Sequence, residues 1–418
     1  MPVENSTSFC LSVGNSAILF VMLVWTVADV IAQDTSGSAL QLRLLDDDEV
    51  DSVEHALGNT YEPIDFSLFR DSIHHWQMKD GRDRNDARYQ PEQVVHIAEN
   101  LLKFQNEDGG WPANLDWLAI IDVQEIRRLR NNTLGRSTFD NRNIYPQIEY
   151  LAKVAQVTGL SRYRQAATRG LEYILQEQRA TGGWRGRDVD AITFNDDVMV
   201  GIMHLLLDIR QNPPHFDWLE PDFKTRLSQA LGQAIEVTLM CQIQVDGRKT
   251  AWCQQHDHVT FQPVKARTYE LPSITALESA GVVRFLMELP NPTPEVIAAI
   301  ESAIAWFESA KIEGIRIETV PITPVRFEGF TAKIDRREVE DPLAPPIWAR
   351  FYDIETNRPF FCNRDGIKVE HLTEVKLERR SGYAWYGTWP AKLLDQDYPT
   401  WKSRISLEAM HERLKVSE

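Results

Sequence analysis

Several short segments of this chain set carboxylates, arginines or a histidine beside aromatic residues: Ser137–Asn141, Thr193–Asp197, Trp252–Asp257, Lys265–Pro272, Trp348–Asp353 and Ser381–Pro390. Residue type limits what each can do. Aspartates offer hard oxygen donors, yet an aspartate just ahead of a helix serves equally as its N-cap, and Asp140 before Ile144 and Asp196 before Val198 both stand in such places. A planar guanidinium grips a carboxylate through two parallel hydrogen bonds, where lysine offers a point charge. Arg267 has Glu270 and Glu278 nearby, Arg350 has Asp353, and Arg364 has Asp365, so an internal ion pair is the competing use of each. The aromatics of Tyr383–Trp389 can stack on sugar faces or pack a core. The run Asp46–Asp48 reads as a solvated face rather than a metal site.

The elements that must position these segments come from glycine stops. Leu102-Lys-Phe-Gln105-Asn-Glu-Asp-Gly109-Gly-Trp111 and Leu175-Gln-Glu-Gln178-Arg-Ala-Thr-Gly182-Gly-Trp184 share Leu-x-x-Gln-x-x-x-Gly-Gly-Trp, with a weaker echo from Gln244 through Gly247 to Trp252. Gly-Gly supplies the left-handed stop of a helix, and the tryptophan can fold back on the helix just completed. Repetition with another helix between copies points to helical hairpins, and hairpins closed into a ring give an all-α (α/α) toroid. Helices are expected over Ile148–Val157, Tyr163–Leu175, Val198–Ile209, Leu227–Cys241, Ser273–Leu289 and Glu295–Ala310. From Ile312 to Lys376 short extended pieces and prolines take over, a texture suited to lining a working surface. No βαβ alternation or Gly-x-Gly-x-x-Gly occurs, which argues against a nucleotide-binding α/β domain.

At 418 residues, 43% hydrophobic and 25% charged, the chain can bury a sizeable core. A net charge of −16 argues against a nucleic-acid partner. Residues 1–33 carry the apolar run Ala17–Ala28 and read as a signal peptide, or as an uncleaved membrane anchor because Glu4 stands where a positive n-region belongs. Either route makes the protein secreted, periplasmic or held at the cell surface. Residues 34–88 read as a polar linker or irregular wrap, 89–405 as the working domain and 406–418 as a charged tail. Cys241, Cys253 and Cys362 remain once Cys10 leaves with a signal peptide, and an odd set favours buried free thiols.

In order and wording the segments resemble the family 10 polysaccharide lyases, which are pectate lyases, from about Asp108 to Trp401. The runs Ala266-Arg-Thr-Tyr-Glu-Leu-Pro-Ser273 and Ala349-Arg-Phe-Tyr-Asp-Ile-Glu-Thr-Asn-Arg-Pro359 carry most of the resemblance. It implies an α/α toroid that cleaves α-1,4-linked polygalacturonate (pectate) by β-elimination with Ca²⁺, and a monomer is expected. It also implies Asp140, Asp196 and Asp197 as metal ligands, Arg267 as base with Lys265 beside it, and Arg350 and Arg364 as substrate-carboxylate clamps. Asn141, Asn195, His256, Tyr269, Tyr383 and Trp385 complete the expected substrate contacts, and Tyr269 is a further fallback base.

A neutral arginine base is physically demanding, since guanidinium titrates above about 12 unless cations and desolvation depress it. One departure stands out. The stretch Gly182-Gly-Trp-Arg-Gly-Arg-Asp-Val-Asp-Ala191 is shorter than the family's aromatic loop and carries Arg185 and Arg187, which puts nearby substrate subsites in question. Two other readings compete: a secreted uronate-polymer-binding protein without turnover, and a helical-toroid terpene cyclase or prenyltransferase. The last lacks support, because Asn195-Asp-Asp197 is not Asp-x-Asp-Asp, and Cys241, Cys253, His256 and His258 make no obvious zinc set.

Overall fold

Each Gly-Gly-Trp does its work within hydrogen-bond distance. In the computed structural model, which describes residues 47–78, 85–122, 124, 125, 128, 135–328 and 330–416, Trp111 Nε1 donates to the Leu101 carbonyl at 2.8 Å and Trp184 Nε1 to that of Ile174 at 2.8 Å. Trp252 does the same to Thr238 at 2.7 Å and Trp348 to Phe307 at 2.9 Å. Each indole donates to a carbonyl near the C-terminal end of a helix, where carbonyls lack a full set of partners, although Leu101 O also accepts from the Gln105 backbone N–H at 3.0 Å.

The glutamine has a second role. Gln105 Nε2 donates to Gly109 O inside its own turn and to Ala166 O, both at 2.8 Å. Gln178 spans Gly182 O at 2.9 Å and Ala230 O at 2.8 Å, and Gln242 spans Thr250 O at 3.0 Å and Ala299 O at 2.9 Å. Gln242, not Gln244, is therefore the third copy. Each amide ties one helix end to a helix of the next hairpin.

The longer helices among the described residues are α1 Asp47–Leu57, α2 Arg70–Met78, α3 Val94–Phe104, α4 Tyr145–Thr158, α5 Ser161–Glu177, α6 Val198–Arg210, α7 Pro221–Met240, α8 Ala276–Glu288, α9 Pro294–Ser309, α10 Leu377–Gly382 and α11 Tyr398–Val416. By contact the chain divides after Asp51, and the account that follows concerns Ser52–Glu418. Neighbouring pairs α4–α5, α6–α7 and α8–α9 are the hairpins. Between hairpins α4 meets α6 and α6 meets α8, while α3 meets α5, α5 meets α7 and α7 meets α9, so the helices form two layers. Helix α6 is buried nearly all round, as expected of a helix enclosed by neighbours.

Glycine is required at the staple. Gly109 and Gly182 adopt φ of +90° and +102°, and a Cβ there would stand 2.3 Å from Arg169 O and 2.4 Å from Gln233 O. Those carbonyls belong to backbone of the next hairpin and cannot yield cheaply. Gly182→Ala should therefore destabilise the fold by about 3 kcal/mol or more, through left-handed strain plus the clash. Urea unfolding checks this, and a loss below about 1 kcal/mol would remove the staple account.

Several expectations need correction. Of the expected linker or irregular wrap at residues 34–88, residues 34–46 and 79–84 lie outside the described residues and 59–66 are irregular, but α2 is part of the packed unit, and Phe69 and Trp76 are each 1% exposed in the main core. Helix α11 runs through the charged C-terminal stretch as far as Val416. The extended region contains a long antiparallel hairpin, Ile315–Phe327 with Phe330–Glu340, whose register breaks between Pro321 and Val325. Prolines remove ladder donors, and Pro321 and Pro324 sit at this irregularity, which made a long strand read as short pieces. Cys241, Cys253 and Cys362 are free and buried. The leader of residues 1–33 lies outside the described residues, among which no helix is long and apolar enough to cross a membrane.

Candidate active site

Two loops bring the carboxylates together. The one before α4 holds Asn141, Arg142 and Ile144 at positive φ of 56°, 55° and 80°, and the one before α6 holds Asp196 and Asp197 at 54° and 55°. Such values are rare outside glycine, and a β-branched residue at +80° marks real local strain. Arg142 N donates to Asp196 O at 3.3 Å and joins the loops. Neither aspartate caps its helix. The N-cap of α4 is Ile144, whose backbone N–H is taken by Gln147 Oε1 at 2.7 Å, and the N-cap of α6 is Asp197, without a side-chain cap bond.

Instead the Asp140 and Asp196 carboxyls lie close enough for each to act on the ionisation of the other. Burial pushes both above the usual carboxylate range, and Asp196 is driven further by the neighbouring Asp140 charge. Neighbouring carboxylates that resist joint ionisation favour a positive charge beside them. Their donors are all oxygen, and Asn195 Nδ2 holds Asp196 Oδ2 at 2.9 Å, so the pair fits a hard divalent cation with the remaining positions left to water and substrate. Among the described residues no group of three or more His, Cys, Asp or Glu gathers at one point. Asp197, expected as a third ligand, is taken by Arg142 Nε at 2.7 Å, with Asp71 of α2 on the same nitrogen at 3.3 Å.

The arginines form a lattice over tyrosine rings. Arg267 grips Glu270 through Nε and Nη2 at 2.7 and 2.6 Å, and Tyr383 Oη donates to the same carboxylate at 2.9 Å. Burial works against the Arg267 charge, but the Glu270 fork outweighs it and holds the guanidinium above its ordinary value. Arg364 forks onto Glu378 at 2.9 and 2.8 Å, and Arg379 shares that acid. The guanidinium centres of Arg267, Arg364 and Arg379 lie 5.3, 5.6 and 4.9 Å from the Tyr269 ring centre, within cation–π range. Lys265 is exposed, and its Nζ lies 4.0 Å from where a Cβ on Gly366 would be, beside the Arg364 turn.

Arg350 is not an open clamp. It is 8% exposed, donates from Nη2 to Glu278 at 2.7 Å and to Asn195 Oδ1 at 3.0 Å, and lies 4.7 Å over Tyr383. The pairings expected from sequence neighbours fail for Arg350 and Arg364, since Asp353 takes Lys368 at 2.6 Å and Asp365 takes Lys376 at 3.3 Å.

Other expected substrate contacts are occupied. His256 is fully buried, accepts from Cys253 N at 3.0 Å and pairs its Nδ1 with Phe261 O at 2.8 Å. Burial lowers its pKa to about 4, so it is a neutral structural imidazole. Trp385 and Tyr383 belong to a small core with Phe351 and Phe361, and Trp385 Nε1 donates to Arg379 O. Asn141 bonds Asn114 at 2.7 Å. Asn195 links Asp196 to Arg350 and Gln254.

Sequence reasoning passed over Arg142, Glu378 and Arg379, and also His75 on α2. Burial lowers the His75 pKa, and Asp71 of the same helix lies 3.3 Å from Arg142 Nε, so α2 stands beside the Arg142 loop. Only Arg142 carried a signal, its place two residues after Asp140.

Comparison with known proteins places this chain in a class of enzyme, the polysaccharide lyases. A sequence model described as pectic acid lyase matches residues 105–394, and the chain belongs to that family. Among the solved structures that resemble it are the family 10 polysaccharide lyase from Cellvibrio cellulosa and an aspartate-to-alanine mutant of a Cellvibrio cellulosa family 10 lyase in complex with trigalacturonic acid. Each has 30% identity and a TM-score of 0.59, over 72% of this chain and 90% of the other. None of the curated proteins matches.

Proposed function

We propose that this protein is a pectate lyase that cleaves α-1,4-polygalacturonate by calcium-assisted anti β-elimination and leaves a 4,5-unsaturated sugar at the new end. The observation that carries this reading is the Asp140–Asp196 pair, two neighbouring carboxyls of which neither caps a helix. Family membership and the trigalacturonate held by the Cellvibrio relative support the substrate. The layered hairpins support closure into an α/α toroid, and the apolar leader supports export.

β-Elimination takes the proton from C5 of a uronate and expels the C4 oxygen, and the electrons of the broken C–H bond form the new double bond. The neighbouring carboxylate must be neutralised, because the transition state adds charge to it. Asp140 and Asp196 would hold Ca²⁺, which supplies Lewis-acid neutralisation when bound. Asn195 orients Asp196, and Arg350 and Glu278 fix Asn195 from behind. Arg267 presents a 42% exposed side chain, and its fork on Glu270 leaves Nη1 outside the pair, so we assign it the C5 proton. The Glu270 fork also favours a second assignment, in which Arg267 stays charged against substrate carboxylate and Lys265 takes the proton.

Purified protein mixed with polygalacturonate should generate ultraviolet absorbance from the unsaturated product when Ca²⁺ is present. Chelation should remove at least about 99% of that rate, the two-decade effect expected when transition-state charge loses its counter-ion. Full activity in chelator would overturn the calcium assignment, and a calcium-replete protein that binds polymer but forms no product would favour the non-catalytic reading.

A further inference from the structure

The short loop after α5 delivers one guanidinium to the carboxylate pair. Arg187 Nη2 lies 3.4 Å from Asp140 Oδ2, while its Nε lies 3.4 Å from Asp188 Oδ1. The backbone that places it is fixed on both sides. Arg185 donates to the carbonyls of Gly186 at 3.3 Å and Arg187 at 3.2 Å, and Gly186 N donates to Thr193 Oγ1 at 3.0 Å. Gly186 itself packs close, since a Cβ there would come within 3.3 Å of Thr193 Cγ2 and 3.4 Å of Asp140 Oδ1. Asp140 is buried, whereas the Arg187 side chain is 43% exposed, so its head can leave without disturbing the loop.

We propose that Arg187 is the resident counter-cation of Asp140 and, once a divalent cation replaces it there, the residue that binds the carboxylate of the uronate seated beside that cation. The proposal rests on the pectate lyase reading above. A guanidinium and a dication repel, and both cannot neutralise the same buried carboxylate at contact distance. The dication displaces the arginine, and the released head remains tethered a few ångströms away, facing an anionic polymer. A guanidinium fork matches a free carboxylate and loses its charge partner when that group is a methyl ester. Arg187 therefore selects unesterified uronate at this subsite.

Calorimetric titration of CaCl₂ into Arg187→Gln, without substrate, tests the first half. Calcium should bind about tenfold more tightly than in the wild type, because a competing charge next to Asp140 is gone. Retardation in gels that contain polygalacturonate and Ca²⁺ tests the second half independently of turnover. It should fall by about tenfold in affinity for Arg187→Gln, with no change in gels that contain fully methyl-esterified pectin. Arg187→Lys should restore wild-type calcium affinity through its charge, while leaving polygalacturonate binding weak.

Calcium affinity that is unchanged or weaker in Arg187→Gln overturns the counter-cation role, and unchanged retardation overturns the carboxylate role. A loss of both affinities would mean that Arg187 only props the loop, which also overturns the proposal. Failure of the lyase reading shows separately, as wild-type protein that is retarded in the gel but forms no unsaturated product.

Discussion

Asp196→Asn should lower kcat on polygalacturonate by at least about a thousandfold and, in the same protein, raise resistance to unfolding when metal is absent at neutral pH. Both effects come from one source. The carboxyl is held above the usual range by burial and by Asp140, so ionisation is costly in the folded state. The unfolded chain releases that proton at ordinary carboxylate pH. Between the unfolded and folded pKa values the native state binds more protons, and metal-free stability falls as pH rises through that window. An amide removes the charge and the penalty. It also suits the backbone, because Asp196 sits at φ 54° and ψ 28°, where asparagine is well tolerated.

Calcium should stabilise the wild type by mass action and leave Asp196→Asn almost untouched. Thermal unfolding with chelator and with calcium, beside the product assay, reads both arms. Loss of activity together with lower metal-free stability would make Asp196 a structural residue, and retained activity would remove it from the site.

Local features were legible in the sequence, and those set by distant partners were not. The Gln-x-x-x-Gly-Gly-Trp repeat announced the hairpins because its stop, its indole and half of its glutamine bonding act within about ten residues of chain. The amide's other bond, from Gln105 to Ala166, reaches into the next hairpin and left no local trace. The third copy was read two residues late because a Gly247 turn lengthens its loop and moves the tryptophan away from Gln242. Sequence neighbours predicted the partner of Arg267, whose acid lies three residues on in the same turn. They failed for Arg350 and Arg364, whose acids Glu278 and Glu378 arrive from α8 and α10. The meeting of Asp140 with Asp196 needed the family resemblance, since position before a helix suggested capping for both. Helix α2 was misread because few apolar residues carry its packing, and Trp76 does most of it.

The sharpest remaining test is at position 267. Arg267→Ala should lower kcat by at least about a hundredfold, the usual lower bound for loss of a general base, with little change in KM. Arg267→Lys keeps a positive charge but cannot reproduce the two-bond fork on Glu270, and it should stay nearly as slow as the alanine variant. The pH profile supplies a second handle. A guanidinium acts as base only when neutral, and Glu270 opposes neutrality by holding it above its ordinary value. Glu270→Gln should therefore move the rise of kcat to lower pH, provided Tyr383 still keeps residue 270 in place through the hydroxyl bond it now makes. If Arg267→Lys instead retains wild-type kcat and the Glu270→Gln profile does not move, position 267 supplies positive potential alone. The C5 proton then belongs to Lys265, whose exposed amine stands beside the Arg364 turn, and Lys265→Ala should show the hundredfold loss in its place.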